Sequence, residues 1–291
     1  MKRSGIVFLA LTASSVLMAG TCSRDRVESM EANNSGVEMF RRKMYPQAVR
    51  ELQRAVAIDG TNEEAHHNLA LVHMETENWS GAQQSLQKVI SINTEVATYH
   101  YQLGTVLQEL TQFSEAKQEL ERAIQLDPNL YKNYFRLAQV LEELDESGTA
   151  LTNYTKAVEK NPRFLPAYSS LGSLYADLNF LDQAAQVFQA ALQVAPEGTE
   201  ERADICHRLG TVYQEQNKLE EAVAEFRNAL NINPAMHDAM FSLGWTYRQM
   251  GNRESAKLYL EKFSKTAGSR ARADYIKAAQ DALLDLAETP Q

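Results

Sequence analysis

Apolar and small residues recur with a period of 34 residues along most of the chain. Each copy holds a leucine followed by a small residue, at Leu69-Ala70, Leu103-Gly104, Leu137-Ala138, Leu171-Gly172, Leu209-Gly210 and Leu243-Gly244. A second small residue comes later in each copy, at Ala48, Ala82, Ala116, Ala150, Ala184, Ala222 and Ala256. Around both landmarks the apolar residues are three or four positions apart, which is the spacing of one helix face. The pattern therefore predicts two amphipathic helices in each copy.

Proline follows the second helix of four copies, at Pro128, Pro162, Pro196 and Pro234. Proline lacks the N–H that a continuing helix needs, so it marks the helix end. The last interval between these prolines is four residues longer than the other intervals because of residues 198–201. This insertion predicts either a local bend or a longer first helix that is capped by Thr199.

These landmarks resemble the tetratricopeptide repeat (TPR), a 34-residue helix–turn–helix unit. Six copies begin near Glu63, Ala97, Tyr131, Leu165, Ala203 and His237, and a weaker copy begins near Ser29. In the weaker copy Ser35-Gly36 replaces the leucine pair. One helix pair cannot bury its apolar stripe alone, so pairs stack on each other. The resemblance implies an all-α superhelical solenoid of about seven repeats over residues 29–270.

The end of the chain, residues 271–291, predicts a capping helix followed by a short tail. Tyr275, Ala279, Leu283 and Leu286 share one helical face, and charged residues lie off it. A solenoid needs a cover for its last apolar edge. The alternative is a helix that docks a partner.

The start of the chain has the pattern of a secretory signal peptide over residues 1–21. Lys2 and Arg3 precede an uncharged apolar run, and small residues come before Cys22. This resembles a bacterial lipoprotein signal, which implies lipid attachment at Cys22, a short linker over residues 22–28, and an outer-membrane location facing the periplasm. The alternatives are an ordinary cleaved signal peptide with an incidental cysteine, or an uncleaved membrane anchor.

Composition and charge narrow the function. The 291 residues carry 29 Lys and Arg against 38 Asp and Glu, a formal net charge of −9. A nucleic-acid-binding protein needs clustered basic residues, so this class is disfavoured. Two cysteines are too few for a disulfide framework or a cysteine-based zinc site.

The sequence offers no clear catalytic or cofactor motif. His66 and His73 share a helix face, but both occupy slots that other copies fill with packing residues. Cys206 also occupies a packing slot, and the neighbouring His207 points elsewhere on a helix. We expect no enzyme activity, no cofactor and no metal. A small enzyme, or a protein that binds a small ligand or a metal, is the alternative class.

In TPR proteins the first helices of the pairs line a concave groove, which is the usual partner site. Matching the copies places these residues in the groove: His67, Tyr101, Phe135, Gln139, His207, Phe241 and Trp245. Each ring is either an exposed anchor for a partner or part of the packing between helices.

A periodic row of acids comes at the ends of the same helices, at Glu75, Glu109, Glu143, Asp177 and Glu215. It predicts either a site for a basic partner or an ordinary solvated face. The expected function is a non-catalytic scaffold lipoprotein of the bacterial cell envelope. It would bind a basic or polar-aromatic protein segment and act in pilus, secretin or outer-membrane protein assembly.

Overall fold

The computed structural model describes residues 10–267 and 273–288, with side chains for residues 24–267 and 273–286. Fifteen α-helices make up the regular structure of these residues, which confirms the all-α prediction. The chain forms two compact units, residues 1–146 and residues 147–291.

The first unit contains seven helices. The first helix of each repeat, here called the A helix, alternates with the second, here called the B helix. The A helices are α1 (Ala10–Arg41), α3 (Glu63–Glu75), α5 (Ala97–Glu109) and α7 (Tyr131–Glu143). The B helices are α2 (Tyr45–Ile58), α4 (Trp79–Ile92) and α6 (Phe113–Leu126). Each helix contacts the next one along the chain, as expected for stacked helix pairs.

The second unit contains eight helices and begins with a B helix. The B helices are α8 (Ser147–Lys160), α10 (Leu181–Val194), α12 (Leu219–Ile232) and α14 (Arg253–Thr266). The A helices are α9 (Leu165–Asp177), α11 (Glu200–Glu215) and α13 (His237–Gln249), and α15 (Ala273–Glu288) comes last. From α3 onward, every A helix begins at a predicted repeat start or three residues before it.

The insertion at residues 198–201 lengthens α11 to 16 residues, where the other A helices from α3 onward have 13. Thr199 caps this helix, since its hydroxyl accepts a hydrogen bond from the Arg202 backbone N–H at 3.3 Å. The Arg202 side chain in turn donates to the carbonyls of Leu192 and Ala195 at the end of α10. The longer-helix alternative therefore holds.

The small residue of each leucine pair lets a B helix approach closely. A Cβ on Gly172 would lie 2.6 Å from Cζ of Phe188, whose side chain is buried between α9 and α10. Gly36 meets Leu52 in the same way, at 2.6 Å from a Cβ built on the glycine. The end of α1 is thus the A helix of the weak first copy.

α15 covers the end of the second unit. Ala279 and Ala282 are buried, and they pack into a cluster with Met240, Leu260 and Phe263. Tyr275, Leu283 and Leu286 contribute to the same cluster. In this structure α15 therefore serves as the capping helix.

Residues 22–28 lie within α1, so the expected short linker is helical. Residues 1–9 and the Cys22 side chain lie outside what the structure describes. The signal peptide and the lipid attachment therefore remain predictions. Among the described residues, no helix has a stretch long and apolar enough to cross a membrane.

Candidate protein-binding surface

The candidate surface is formed by side chains of the A helices and is here called the helix-A face. In each unit these side chains point away from the helix side that carries the leucine and the small residue of each copy. In the first unit its main row is Asn33, His67, Tyr101 and Phe135, and the next row is Val37, Leu71, Thr105 and Gln139. Asn33 is buried, and the other seven side chains are half-buried. Most of this face therefore keeps contact with solvent.

Side-chain hydrogen bonds link successive A helices of the first unit. His67 Nε2 lies 2.8 Å from the side-chain oxygen of Gln102, which joins α3 to α5. The Asn68 side-chain amide donates to the Asn33 side-chain oxygen at 2.9 Å, which joins α1 to α3. These bonds fix the polar side chains before any partner arrives, which lowers the entropic cost of binding.

Tyr101 is a candidate anchor of this face. Its ring is half-buried, and among the described residues its hydroxyl has no hydrogen-bond partner. Its backbone carbonyl accepts from the Thr105 hydroxyl, which holds the neighbouring row in place. Tyrosine contributes strongly to interfaces because it combines apolar area with a polar tip.

Gln139 and Phe135 extend the face on α7. Phe135 is half-buried, whereas the Gln139 side-chain oxygen is buried and has no partner in the described part of the chain. A buried carbonyl oxygen without a donor is costly, so this position contributes strain in the free protein.

The second unit carries a similar set of links. His207 Nε2 lies 3.2 Å from the Ser242 hydroxyl, and Arg208 donates to the Ser173 hydroxyl at 2.8 Å. The His207 ring also packs 5.6 Å from the Phe226 ring. Burial lowers the pKa of His207, so the imidazole is neutral near pH 7 and serves as a hydrogen-bonding group.

Phe241 is not an exposed anchor, so that prediction is wrong. Its side chain is 8% exposed, and its ring stacks on Tyr275 of α15 with centroids 4.1 Å apart. Trp245 packs against the same cluster and lies under the Arg248 guanidinium at 5.0 Å. Phe241 belongs to the core of the capped end because α15 covers it, and Trp245 stays half-buried at its rim.

The acidic row lies where the sequence places it. All five acids are exposed, and each is the last residue of an A helix. They are Glu75 of α3, Glu109 of α5, Glu143 of α7, Asp177 of α9 and Glu215 of α11. The row therefore lies at the negative ends of the helix dipoles, where a carboxylate is disfavoured.

Two members of the acidic row have specific surroundings. Glu75 accepts a hydrogen bond from the Tyr45 hydroxyl at 3.4 Å. Partial burial raises the pKa of Glu215, and the negative charge of the nearby Asp177 raises it further.

The candidate ligand and nucleophile residues are packed. His66 bonds the Gly60 carbonyl, His73 bonds the Asn78 side chain, and both rings are buried. Burial raises the pKa of Cys206 to about 12, so its thiol stays protonated at neutral pH. Within the described residues no group of three or more His, Cys, Asp and Glu side chains is placed to hold a metal ion.

The sequence reasoning did not identify Leu178 and Phe180, in the turn after α9. Both are large apolar side chains left exposed to solvent. A signal was present for Phe180, since five of the six equivalent positions in the other copies hold a polar residue.

The solved structures that resemble this chain include several TPR proteins. MamA is 25% identical, with a TM-score of 0.56, over 57% of this chain and 91% of its own. YrrB, described as a TPR protein with an unusual peptide-binding site, is 24% identical, with a TM-score of 0.54, over 65% of this chain and 95% of its own. The C-terminal part of a TPR protein from Cytophaga hutchinsonii is 13% identical, with a TM-score of 0.71, over 85% of this chain and 98% of its own.

Sequence models of the tetratricopeptide repeat match residues 39–103, 97–130, 135–199, 203–235 and 237–267. No curated protein matches the chain. The TPR fold is typically a non-catalytic scaffold for protein interactions, and the fold predicted from the 34-residue period is confirmed. The chain therefore belongs to the tetratricopeptide repeat family.

Proposed function

We propose that this TPR protein is a non-catalytic scaffold lipoprotein of the bacterial cell envelope that binds a protein segment on its helix-A face. The observation that carries the binding site is Tyr101. Its ring is half-buried, and its hydroxyl has no hydrogen-bond partner among the described residues. The neighbouring Gln102 is already fixed by its hydrogen bond to His67 of α3. A partner segment gains apolar contact and a hydrogen bond there at a low entropic cost.

The peptide-binding description of YrrB, a TPR structure of similar fold, supports an extended segment as the partner. The exposed acids Glu109 and Glu143 end the helices that carry Tyr101 and Phe135. Their charge favours a basic segment over an acidic one.

The envelope location is supported by the sequence of the N-terminus. The basic start, the apolar run and Cys22 resemble a lipoprotein signal. TPR lipoproteins of this size serve in pilus, secretin or outer-membrane protein assembly, and we propose one of these pathways without choosing among them.

The test is affinity capture from gently solubilised bacterial envelopes, with mass spectrometry of the bound proteins. The wild type is compared with Tyr101→Ala/Phe135→Ala. We expect one or a few partners to be lost from the double variant, because its main apolar contacts on the helix-A face are gone.

Leu258→Ala/Leu284→Ala is the matched control, since it removes two side chains that are each 61% exposed on α14 and α15. It should keep the wild-type partners. A partner list that Tyr101→Ala/Phe135→Ala leaves unchanged, while the variant melts like the wild type, contradicts the proposed site.

A further inference from the structure

The turn between α9 and α10 departs from the other A–B turns at Phe180. The equivalent position holds Met44, Asn78, Gln112, Glu146, Lys218 and Asn252 in the other copies. The turn therefore does not require an aromatic ring there. Phe180 is nevertheless 48% exposed, and its ring forms a T-shaped pair with the Tyr175 ring, with centroids 6.4 Å apart. Leu178, two residues earlier, is 38% exposed.

Phe180 forms one wall of a shallow cavity of about 400 Å³. The other walls include Leu181 and Asp182 of α10, and Gln216 and Lys218 of the following A–B turn. The Gln216 side-chain amide donates to the Asp182 carboxylate at 2.8 Å and links the two turns. The cavity is thus a formed feature of neighbouring repeats that has room for a side chain.

Three carboxylates lie close in the chain to the residues of this surface. Asp177 and Glu215 end α9 and α11 and are exposed, and Asp182 lies at the cavity wall. Within the described part of the second unit, no lysine or arginine forms an ion pair with any of them. Lys218 Nζ instead lies over the Tyr213 ring, 5.9 Å from its centroid.

Asp177 and Glu215 hold the same position at the ends of α9 and α11, and the hydrogen bond between Gln216 and Asp182 joins the two turns that follow these helices. Partial burial raises the pKa of Glu215, and repulsion from the nearby Asp177 raises it further. A cationic group placed between the two carboxylates relieves the repulsion and gains attraction from both. An exposed aromatic beside it adds apolar contact and a cation–π contribution.

We propose that Asp177, Leu178, Phe180, Asp182 and Glu215, here named the turn patch, form a docking site for a basic partner segment. The segment carries an arginine or lysine next to a large apolar side chain. The cation lies between Asp177 and Glu215, and the apolar side chain lies against Phe180 and Leu178. This inference rests on the proposed protein-binding function and adds a contact outside the helix-A face.

The probe is a fluorescein-labelled peptide of alternating leucine and arginine, titrated with the full-length protein and followed by fluorescence anisotropy. Its counterpart has glutamate in place of arginine. We expect Phe180→Asn and Asp177→Asn/Glu215→Gln each to weaken binding about fivefold or more. Phe180→Asn introduces the residue that two other copies carry, so it should fold normally. Added salt should weaken binding to the wild type.

Glu159→Gln is the matched control, because it removes an exposed carboxylate of α8 that belongs to neither the helix-A face nor the turn patch. It should bind the peptide like the wild type. Equal affinity for the wild type and both patch variants overturns the inference, and so does equal binding of the arginine and glutamate peptides.

If Tyr101→Ala abolishes peptide binding and the patch variants do not, the helix-A face holds the peptide. The turn patch is then wrong, and the proposed function stands. The reverse result supports the patch, whatever the envelope capture shows. Circular dichroism melts of all variants exclude unfolding as the cause.

Discussion

At the scale of single residues, the A–B turns depend on a left-handed backbone position. Six non-glycine residues have φ between 55° and 62°, at Lys43, Glu77, Thr111, Asp145, Asn179 and Asn217, and Gly251 has φ 73°. After α5 the Thr111 N–H donates to the Gln108 carbonyl, and the Gln112 N–H donates to the Leu107 carbonyl. This is the Schellman end of a helix, in which residues with a Cβ are strained.

Thr111→Gly should stabilise the protein by about 1 kcal/mol, because threonine is β-branched and disfavours positive φ. Thr111 is exposed, so the change removes little packing. The measurement is the midpoint of urea unfolding. Asn179→Gly is the control at φ 62°, and it should change stability much less, since asparagine tolerates this region. A lower midpoint for Thr111→Gly contradicts the turn geometry.

Gly172→Leu should destabilise the protein by about 1–3 kcal/mol or more, because the new side chain overpacks the crossing of α9 and α10. Even a Cβ at this position lies 2.6 Å from the buried Phe188 ring. The readout is again the unfolding midpoint. Gly148→Leu is the control, since a Cβ there meets nothing within 4 Å, and it should not lower stability by this amount. A neutral Gly172→Leu would contradict the register of the helix pair.

At the scale of elements, the repeat pattern predicted the helices and the cap at the last edge, but not which side chains the cap buries. Each copy carries its own small residues and helix ends, so the positions of α3 to α14 are encoded locally. Phe241 occupies the same position in its repeat as Tyr101, so the repeat pattern predicts the same surroundings for both rings. Only Phe241 lies where α15 packs on it. The exposure of a repeat residue depends on its neighbouring elements, which the local pattern does not contain.

Ala279→Glu should detach α15 from the end of the second unit. Ala279 is fully buried in the cluster that contains Phe241, and a carboxylate there has no described partner. We expect faster hydrogen exchange in α13, α14 and α15, with little change in α1 to α7. Lys277→Glu adds the same side chain at an exposed position of α15 and should exchange like the wild type. Unchanged protection in Ala279→Glu would contradict the capping role.

At the scale of the whole molecule, net charge limits how the chain can associate with a membrane. The net charge is −9, and removal of residues 1–21 takes away Lys2 and Arg3 and no acid. Anionic headgroups repel such a chain, so electrostatic attraction does not hold it at a membrane. The proposed route of attachment is the lipid on Cys22.

Cys22→Ser should move the protein from the membrane pellet to the soluble fraction of bacteria that process lipoproteins. Cys206→Ser is the matched control, because this cysteine is buried and should not affect sedimentation. Intact-mass spectrometry of the wild type should show a chain that begins at Cys22 and carries added acyl mass. If Cys22→Ser stays in the membrane and the wild type keeps Met1, an uncleaved N-terminal anchor replaces the lipid. If both chains are soluble and cleaved, Cys22 is incidental and the protein acts as a free periplasmic scaffold.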